Sequence, residues 1–552
     1  MNKLFKKIGL LAASAVLAFT CVACGGGNGG NSNGGNDGPV DASKTQLMVK
    51  YYSAGYGSDW INNYVKVFEE KYKNYKNGDK VGVQVQTNPG MVKYENVELL
   101  QSDACDVYFL EGVDFSSFAK KGAFEDLTSI VTTANDDGKT IESKLSAEQK
   151  EYFSVNGKYY GLPHYMGSYG LIYNKDLFEK NNLYIKDGAT PADFFISGSA
   201  DKKSAGPDGA YDTPDDGLPA TYEEFFMLCD ELVSSSKKLG IKKPIVFTGA
   251  YKDRYVTEFM ANLAANYNGV TEQNYMLSYN GKATKLVKMA GDVIDMSTGD
   301  IQLEECNITS TNGYELARQA GVYYGSNFLE KLLTNGNSND PTYIPAVSLG
   351  GVFTHKQAQK TFINGDYAML IDGTWWMTEA SASISEADKM SRQFGWMPLP
   401  HATSEQVGDK QVYADAMFTS AVVRAGLDSV SKELAMDFVK GFYTDDNLVE
   451  YTKTTSTLIG VDYNDALKAA KSQLTPYALS LSEYIQNADV YYGITGNDFY
   501  NLHYSDFLSV NYYQIDNMDP VAYMLNKDAP KTAKQYFEAL YSNTKKKTSI
   551  WG

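Results

Sequence analysis

Cysteine is scarce in this sequence. There are five in 552 residues, and two of them, Cys21 and Cys24, fall within the first 24 positions. Cys105, Cys229 and Cys306 remain, odd in number and widely spaced, which does not make a disulfide framework. Buried free thiols acting as small hydrophobes are expected instead. Histidine is scarcer, at four. His164, His355, His401 and His503 are isolated, and none forms HExxH or another metal spacing. Basic residues are outnumbered, 50 against 67, for a net charge of -17. That disfavours nucleic acid, whose phosphates select basic patches, and adhesion of the folded body to an anionic membrane. Catalytic signatures are also lacking. Met166-Gly167-Ser168-Tyr169-Gly170 misses the first Gly of G-x-S-x-G and lies between strand patterns, not at a nucleophile elbow. Carboxylates are plentiful, but abundance alone does not make a glycosidase pair.

Residues 1–23 read as a signal peptide. Lys3, Lys6 and Lys7 form a basic start, and the apolar run Ile8 to Thr20 is too short and wrongly flanked to span a membrane. Cys21-Val22-Ala23-Cys24 resembles a bacterial lipobox cleaved before Cys24, with Cys21 where Leu is usual. An ordinary secretory signal cut near Ala23 is the alternative. Lipidation is favoured because residues 24–43 begin with a tether. Positions 25–38 are almost entirely Gly, Asn and Ser, too polar to bury a core and reaching roughly 20 Å. No strand precedes this Gly run and no GKS or GKT follows, so it is not a phosphate loop.

The folded body is too long for one ordinary core, and at least two lobes are expected. Gln46 to Tyr52 reads as a strand. Ser58 then caps a helix with Trp60, Tyr64, Val65 and Phe68 on one face. Val81, Val83 and Val85 alternate as a second strand, Met91 to Gln101 reads as a helix, and Asp106 to Leu110 as a third strand. Alternating strands and helices imply βαβ units and a parallel sheet. Ligands of such sheets bind beyond the strand C-termini, where Gly55-Tyr56-Gly57 and Glu111-Gly112-Val113-Asp114 stand. Further on, 187–219 is an insertion rich in Gly, Asp, Pro and Ser. Thr221 to Glu224 opens a capped helix ending at Gly240, and Pro244 to Thr248 is a strand. Residues 251–345 show helices but no usable motif.

Asn156 to Leu183 reads NGKYYGLPHYMGSYGLIYNKDLFEKNNL. Two strand signals, a Gly/Ser break and a helix start follow one another. The stretch resembles the segment with which family 1 extracellular solute-binding proteins, the maltose-type sugar-binding lipoproteins of ABC importers, cross between lobes. Phe362 to Trp376, a helix end, an apolar strand and a Trp pair, is a second similar block. Gly395 to Pro400 resembles the return, followed by Tyr413 to Val423 and a helix from Ser431 to Tyr443. The resemblance covers most of residues 45–460 and implies a two-lobed α/β fold of the periplasmic-binding-protein type (class II). Each lobe should hold a mainly parallel sheet flanked by helices, joined by hinge crossings. Lobe one is expected at 44–164 plus about 411–460 and lobe two at 165–410, with 461–552 a helical C-terminal extension.

A carbohydrate site combines aromatic platforms for sugar C–H faces with charged or amide partners for hydroxyls. The resemblance implies a stacking Trp at Trp375, just past a strand end. Tyr56, Glu111 and Asp114 are the expected lobe-one contacts, and Tyr165 and Tyr413 lie near the expected crossings. Most other Tyr and Trp, Trp60 included, belong to packing. Asp212, Asp216 and Glu223 occupy positions one, five and twelve of an EF-hand-like loop, with Gly217 at six and Pro214 as a defect at three. A structural calcium ion and a solvated acidic loop both fit; no cofactor is required for binding. The expected protein is a monomeric, lipid-anchored receptor on the extracellular face of the cell membrane. It captures a carbohydrate, hands it to ABC permease subunits and is not an enzyme. A surface-anchored glycan-active hydrolase and a peptide- or metal-binding lipoprotein are the alternatives.

Overall fold

The computed structural model describes residues 39–551, apart from 54, 91, 93, 95, 192, 199, 335–340, 417–418, 493–497, 508 and 527–531. The leader, Cys24 and most of the tether lie outside the described residues. The strands that organise the body are β1 (Thr45–Tyr51), β2 (Val83–Pro89), β3 (Val107–Glu111), β4 (Tyr169–Asn174), β5 (Lys243–Val246), β6 (Tyr367–Gly373), β7 (Phe394–Met397), β8 (Val412–Asp415), β9 (Thr419–Val423) and β10 (Asp489–Tyr492). Among the described residues no helix is long and apolar enough to cross a membrane.

Lobe one is built on a four-stranded sheet in the order β9-β3-β1-β2. β1 runs parallel to β2 and β3, and β9 closes the edge antiparallel to β3. The alternation of Leu47, Val49 and Tyr51 with half-buried residues turns one face of β1 into the core. The helix Asp59–Lys71 buries Trp60, Tyr64, Val65 and Phe68 as its spacing predicts. Trp60 sits edge-on to Tyr51, Phe109 and Phe442, which places it in the core of this lobe. Within the stretch predicted as a helix from Met91, the structure describes a helix over Val97–Ser102, with Asn96 capping it through Leu99 N.

Lobe two carries the sheet β5-β6-β4-β7. β5 and β6 are parallel, but β4 is antiparallel to both β6 and β7. This sheet is therefore more mixed than the mainly parallel one expected. The reason is topological: β4 enters from the crossing against the direction of its neighbours. Close packing fixes Gly170 in β4, because a Cβ there would lie 2.3 Å from the Trp396 ring.

The lobes are joined by three stretches of chain that pair with one another. Leu162 and Ala421 exchange both main-chain hydrogen bonds, at 3.0 and 2.8 Å. Met166 N donates to Leu458 O at 3.0 Å, and Gly460 N to His164 O at 3.1 Å. Ala416 N reaches Gly167 O at 2.9 Å. The third stretch, around 458–460, carries the chain back to lobe two. There the helix Pro476–Ile485 lies against β7, β10 pairs parallel with β8, and the helix Ala533–Lys545 packs on Ala320–Thr334. These three elements thus pack on the body of lobe two.

His164 opens the first crossing, enclosed by Trp60, Phe109 and Tyr165. Burial pushes its imidazole down to about 3, so it stays neutral when folded. The unfolded chain takes up a proton below pH 6.5 and the folded one does not, so stability falls as pH drops below that value. We expect His164→Phe to flatten this dependence. The parent should lose about 2 kcal/mol more than the variant between pH 7 and pH 5, read from urea unfolding. Equal losses in both proteins would reject the assignment.

Candidate functional site

Three strand ends meet between the lobes. β1 runs out at Tyr51, and Gly55 and Gly57, at φ +78° and +69°, fold the following loop back on itself. L-residues with a Cβ adopt such angles at a cost. The turn places the Tyr56 ring on Tyr165 of the first crossing, centroids 3.9 Å apart and nearly parallel. β3 ends at Glu111, whose Oε2 accepts from the Tyr165 hydroxyl at 2.7 Å. β6 ends at Gly373, and the Trp375 indole folds back over it; a Cβ at 373 would lie 2.2 Å from the ring. Trp375 meets Tyr169 edge-on at 5.0 Å and lies 6.2 Å from Tyr56. Tyr169 in turn meets Tyr255 at 5.0 Å.

The result is one aromatic wall contributed by lobe one, the crossing and lobe two. Glu111, Tyr56, Tyr165 and Trp375 are all brought together in it. Trp375 is 4% exposed and Tyr56 3%. An open platform was expected. In this structure lobe one covers it, with the Gly55 Cβ position 3.0 Å from Trp375 Cδ1. Two expected contacts lie elsewhere. Asp114 caps the helix Phe115–Lys120, accepting from Ser117 N at 3.1 Å. Tyr413 is fully buried in β8, its hydroxyl accepting from the Trp396 indole at 3.2 Å. A strand-end position fitted Asp114 equally well as a cap, and Tyr413 is held by packing that no local pattern encodes.

The helix Lys252–Asn268 supplies what the sequence pattern did not indicate. Arg254, Glu258, Ala261 and Asn262 lie along its buried face. Arg254 Nε donates to the Tyr169 hydroxyl at 3.2 Å. Burial works against the guanidinium charge, but Tyr169, Glu258 and Glu111 outweigh it and hold the proton. The available signal was a charged pair at i, i+4 on a face otherwise given to small and apolar residues. Behind Trp375, Asp372 is buried, and burial followed by Glu379 pushes its carboxyl well above the usual range. Gln359 Nε2 donates to Asp372 Oδ2 at 3.1 Å and to Glu379 Oε2 at 2.7 Å. Trp376, beside it, is core against Phe362, Phe394 and Tyr477.

The acidic loop is self-contained. Asp212 adopts φ +63°, and Asp216 Oδ2 accepts from Asp212 N at 3.0 Å. Asp215, the buried member, accepts from Thr213 Oγ1 at 2.8 Å and Asp208 N at 3.0 Å. Glu223 is exposed on the helix Tyr222–Ser234. The cap uses Thr221, which accepts from Glu224 N, and Glu224, which accepts from Ala220 N. Asp212, Asp216 and Glu223 are therefore not assembled into the expected calcium set. Among the described residues no group of three or more His, Cys, Asp or Glu could hold a metal ion. Asp208, Asp215 and Asp216 accept from the loop's own amides and from Thr213.

Burial pushes Asp215 up to about 6. With the folded value above the unfolded one, its ionisation costs stability as pH rises from about 4 to about 6. Asp215→Asn should therefore gain on the parent by about 2–3 kcal/mol across that range, measured by denaturant unfolding at each pH. A constant difference between the two proteins would show that Asp215 ionises freely.

Residues 63–471 match the model of a family described as bacterial extracellular solute-binding protein. No curated protein matches the sequence. Among solved structures, the Thermus thermophilus maltotriose binding protein bound with maltotriose is similar, with a TM-score of 0.51 and 16% identity. The match covers 91% of this chain and 99% of that one, and the two-lobe fold is shared. With a family model spanning most of its length and that fold around a wall of aromatic strand ends, the chain belongs to the bacterial extracellular solute-binding proteins.

Proposed function

We propose that this protein is the carbohydrate receptor of an ABC importer. It closes its lobes around an oligosaccharide outside the cell and delivers it to the permease subunits without chemical change. The observation that carries this is the aromatic wall of Tyr56, Tyr165, Tyr169 and Trp375, drawn from both lobes and the crossing and flanked by Glu111 and Arg254. Flat rings suit sugar C–H faces, and a carboxylate with a guanidinium suits hydroxyls. Because both lobes contribute, a ligand there favours the closed arrangement through contacts that the open one lacks. The name of the maltotriose-binding neighbour agrees with this class of ligand. Ligand entry separates Trp375 from the Gly55-Tyr56 loop.

Trp375→Ala should weaken binding of a glycan found by calorimetry against an oligosaccharide panel. Loss of a stacked face, about 1–3 kcal/mol, corresponds to roughly ten- to a hundredfold in affinity. Trp60→Ala is the control: it should cost about 3–5 kcal/mol of folding stability and leave the affinity of the folded fraction unchanged. A Trp375→Ala protein with parental affinity would overturn the site. Product formed from the panel on prolonged incubation with the parent would favour the hydrolase alternative instead.

The same reading gives the chain a lipid at Cys24 and a flexible tether to the membrane. Cys24→Ser should move the protein from the membrane fraction to the medium, since acyl burial, roughly 0.8 kcal/mol per methylene, is lost. Unchanged fractionation would reject the anchor.

A further inference from the structure

The aromatic wall of the cleft continues outward onto lobe two. β5 and β6 are parallel neighbours, with Val246 opposite Leu370. The chain leaving β5 therefore emerges on the same sheet edge as Trp375, where ligands of such sheets bind. Tyr251 stands in that exit, at the start of the helix Lys252–Asn268. Its carbonyl accepts from Tyr255 N at 3.0 Å and from Arg254 N at 3.1 Å. Those two residues carry the side chains that meet Tyr169 of the wall. On its other side the Tyr251 ring lies 5.6 Å from His355. His355 Nε2 is 3.5 Å from Glu379 Oε1, and Glu379 closes the turn begun at Trp375, its N–H donating to Trp375 O at 3.2 Å. Tyr251 is thus joined to the wall by two separate routes. It differs from the wall in exposure, at 50% against 4% for Trp375.

The ring stands on a rigid base. Gly249 N and Ala250 N both donate to Phe353 O, at 2.7 and 2.9 Å. Ser348 Oγ donates to Phe247 O at 2.8 Å, and a Cβ at Gly249 would lie 2.4 Å from Val347 O. The two loops so joined expose Val347 and Val352 as well as Tyr251. Single exposed apolar residues are ordinary, but three on one pair of joined loops at the edge of a cleft form a patch. Because the loops are held by their own bonds, stacking on the ring carries little further ordering cost. The partly exposed His355–Glu379 pair beside the ring offers a donor and an acceptor. A flat ring edged by such a pair suits a sugar, whose C–H face and hydroxyls both need partners.

We propose that Tyr251 is an outer sugar platform, on which a sugar unit stacks after the chain has left the enclosed wall, with His355 and Glu379 taking its hydroxyls. The preferred solute is then an oligosaccharide longer than the part that the closed lobes enclose, and Tyr251 sets the preference for length. This rests on the carbohydrate reading for the class of ligand and on the placement and exposure of Tyr251 for its length.

Calorimetry with the trisaccharides and hexasaccharides of α-1,4-glucan, β-1,4-glucan, β-1,4-mannan and β-1,4-xylan tests it. In the series that binds, the parent should hold the hexasaccharide at least tenfold tighter than the trisaccharide. Tyr251→Ala, checked for a parental melting profile, should remove that gain, a loss of roughly tenfold, and leave the trisaccharide affinity unchanged. Tyr251→Phe keeps the ring face and should keep the gain. Trp375→Ala should weaken both lengths alike. A parent that binds both lengths equally overturns the outer platform and leaves the carbohydrate reading standing, as does a Tyr251→Ala protein weakened equally for both. Unchanged glycan affinity in Tyr251→Ala, with hexasaccharide uptake by cells lost, overturns the platform in favour of a permease-docking surface. If no glycan of either length binds, both readings fall.

Discussion

Asn262 is the side chain on which the arrangement of the cleft depends. It is buried on the helix Lys252–Asn268. Its Nδ2 donates to Tyr169 O at 2.8 Å, and its Oδ1 accepts from Ala414 N at 2.6 Å. One amide thus ties the first strand entering lobe two to the strand leaving it. One turn on, Asn266 Oδ1 takes Val412 N at 3.2 Å. A buried main-chain group left without a partner costs about 1–3 kcal/mol, so this helix cannot slide along the crossing without penalty. Its fixed position in turn fixes Arg254 and Glu258 relative to Tyr169. The donors and charges of the cleft are therefore held in place by bonds made inside the protein.

Tyrosine is the residue with which this chain solves its irregular segments. There are 42, and many are buried with the hydroxyl on a main-chain carbonyl. Tyr64 reaches Phe438 O, Tyr443 reaches Pro163 O and Tyr477 reaches Thr374 O, at 2.6, 2.6 and 3.1 Å. A phenylalanine would fill the same volume and lose those bonds. Burial raises the pKa of all three hydroxyls, so they remain donors. Where the cleft uses tyrosine, as at Tyr165 against Glu111, it draws on the same chemistry.

The sequence displays whatever is local. Strand ends at Tyr51, Glu111 and Gly373 follow from apolar runs stopped by Gly and polar residues, and three of the expected contacts meet there with Tyr165. The Trp60 stripe was legible because a helix repeats its buried face every three or four residues. Asp114 and Tyr413 were not separable from ligand contacts, since a cap and a core tyrosine carry the same local signature as a site. Arg254 and Tyr169 are far apart in sequence and meet only through the fold. The calcium spacing was present in the letters, but Glu223 points to solvent and Asp216 turns to its own loop. Spacing along a chain does not specify which way a side chain faces.

Neither lobe is made from continuous chain. β3 waits for β9, and the side chain of Asn135 bonds Lys440 O across 305 positions. Lobe two is incomplete until the helix Ala533–Lys545 has docked. During synthesis, then, lobe one cannot close its sheet before Thr419–Val423 has been made, and lobe two waits for Ala533–Lys545. Pairings so distant form slowly. A chain built this way leaves both cores unfinished until late, so their apolar strands stay without their partners for most of synthesis.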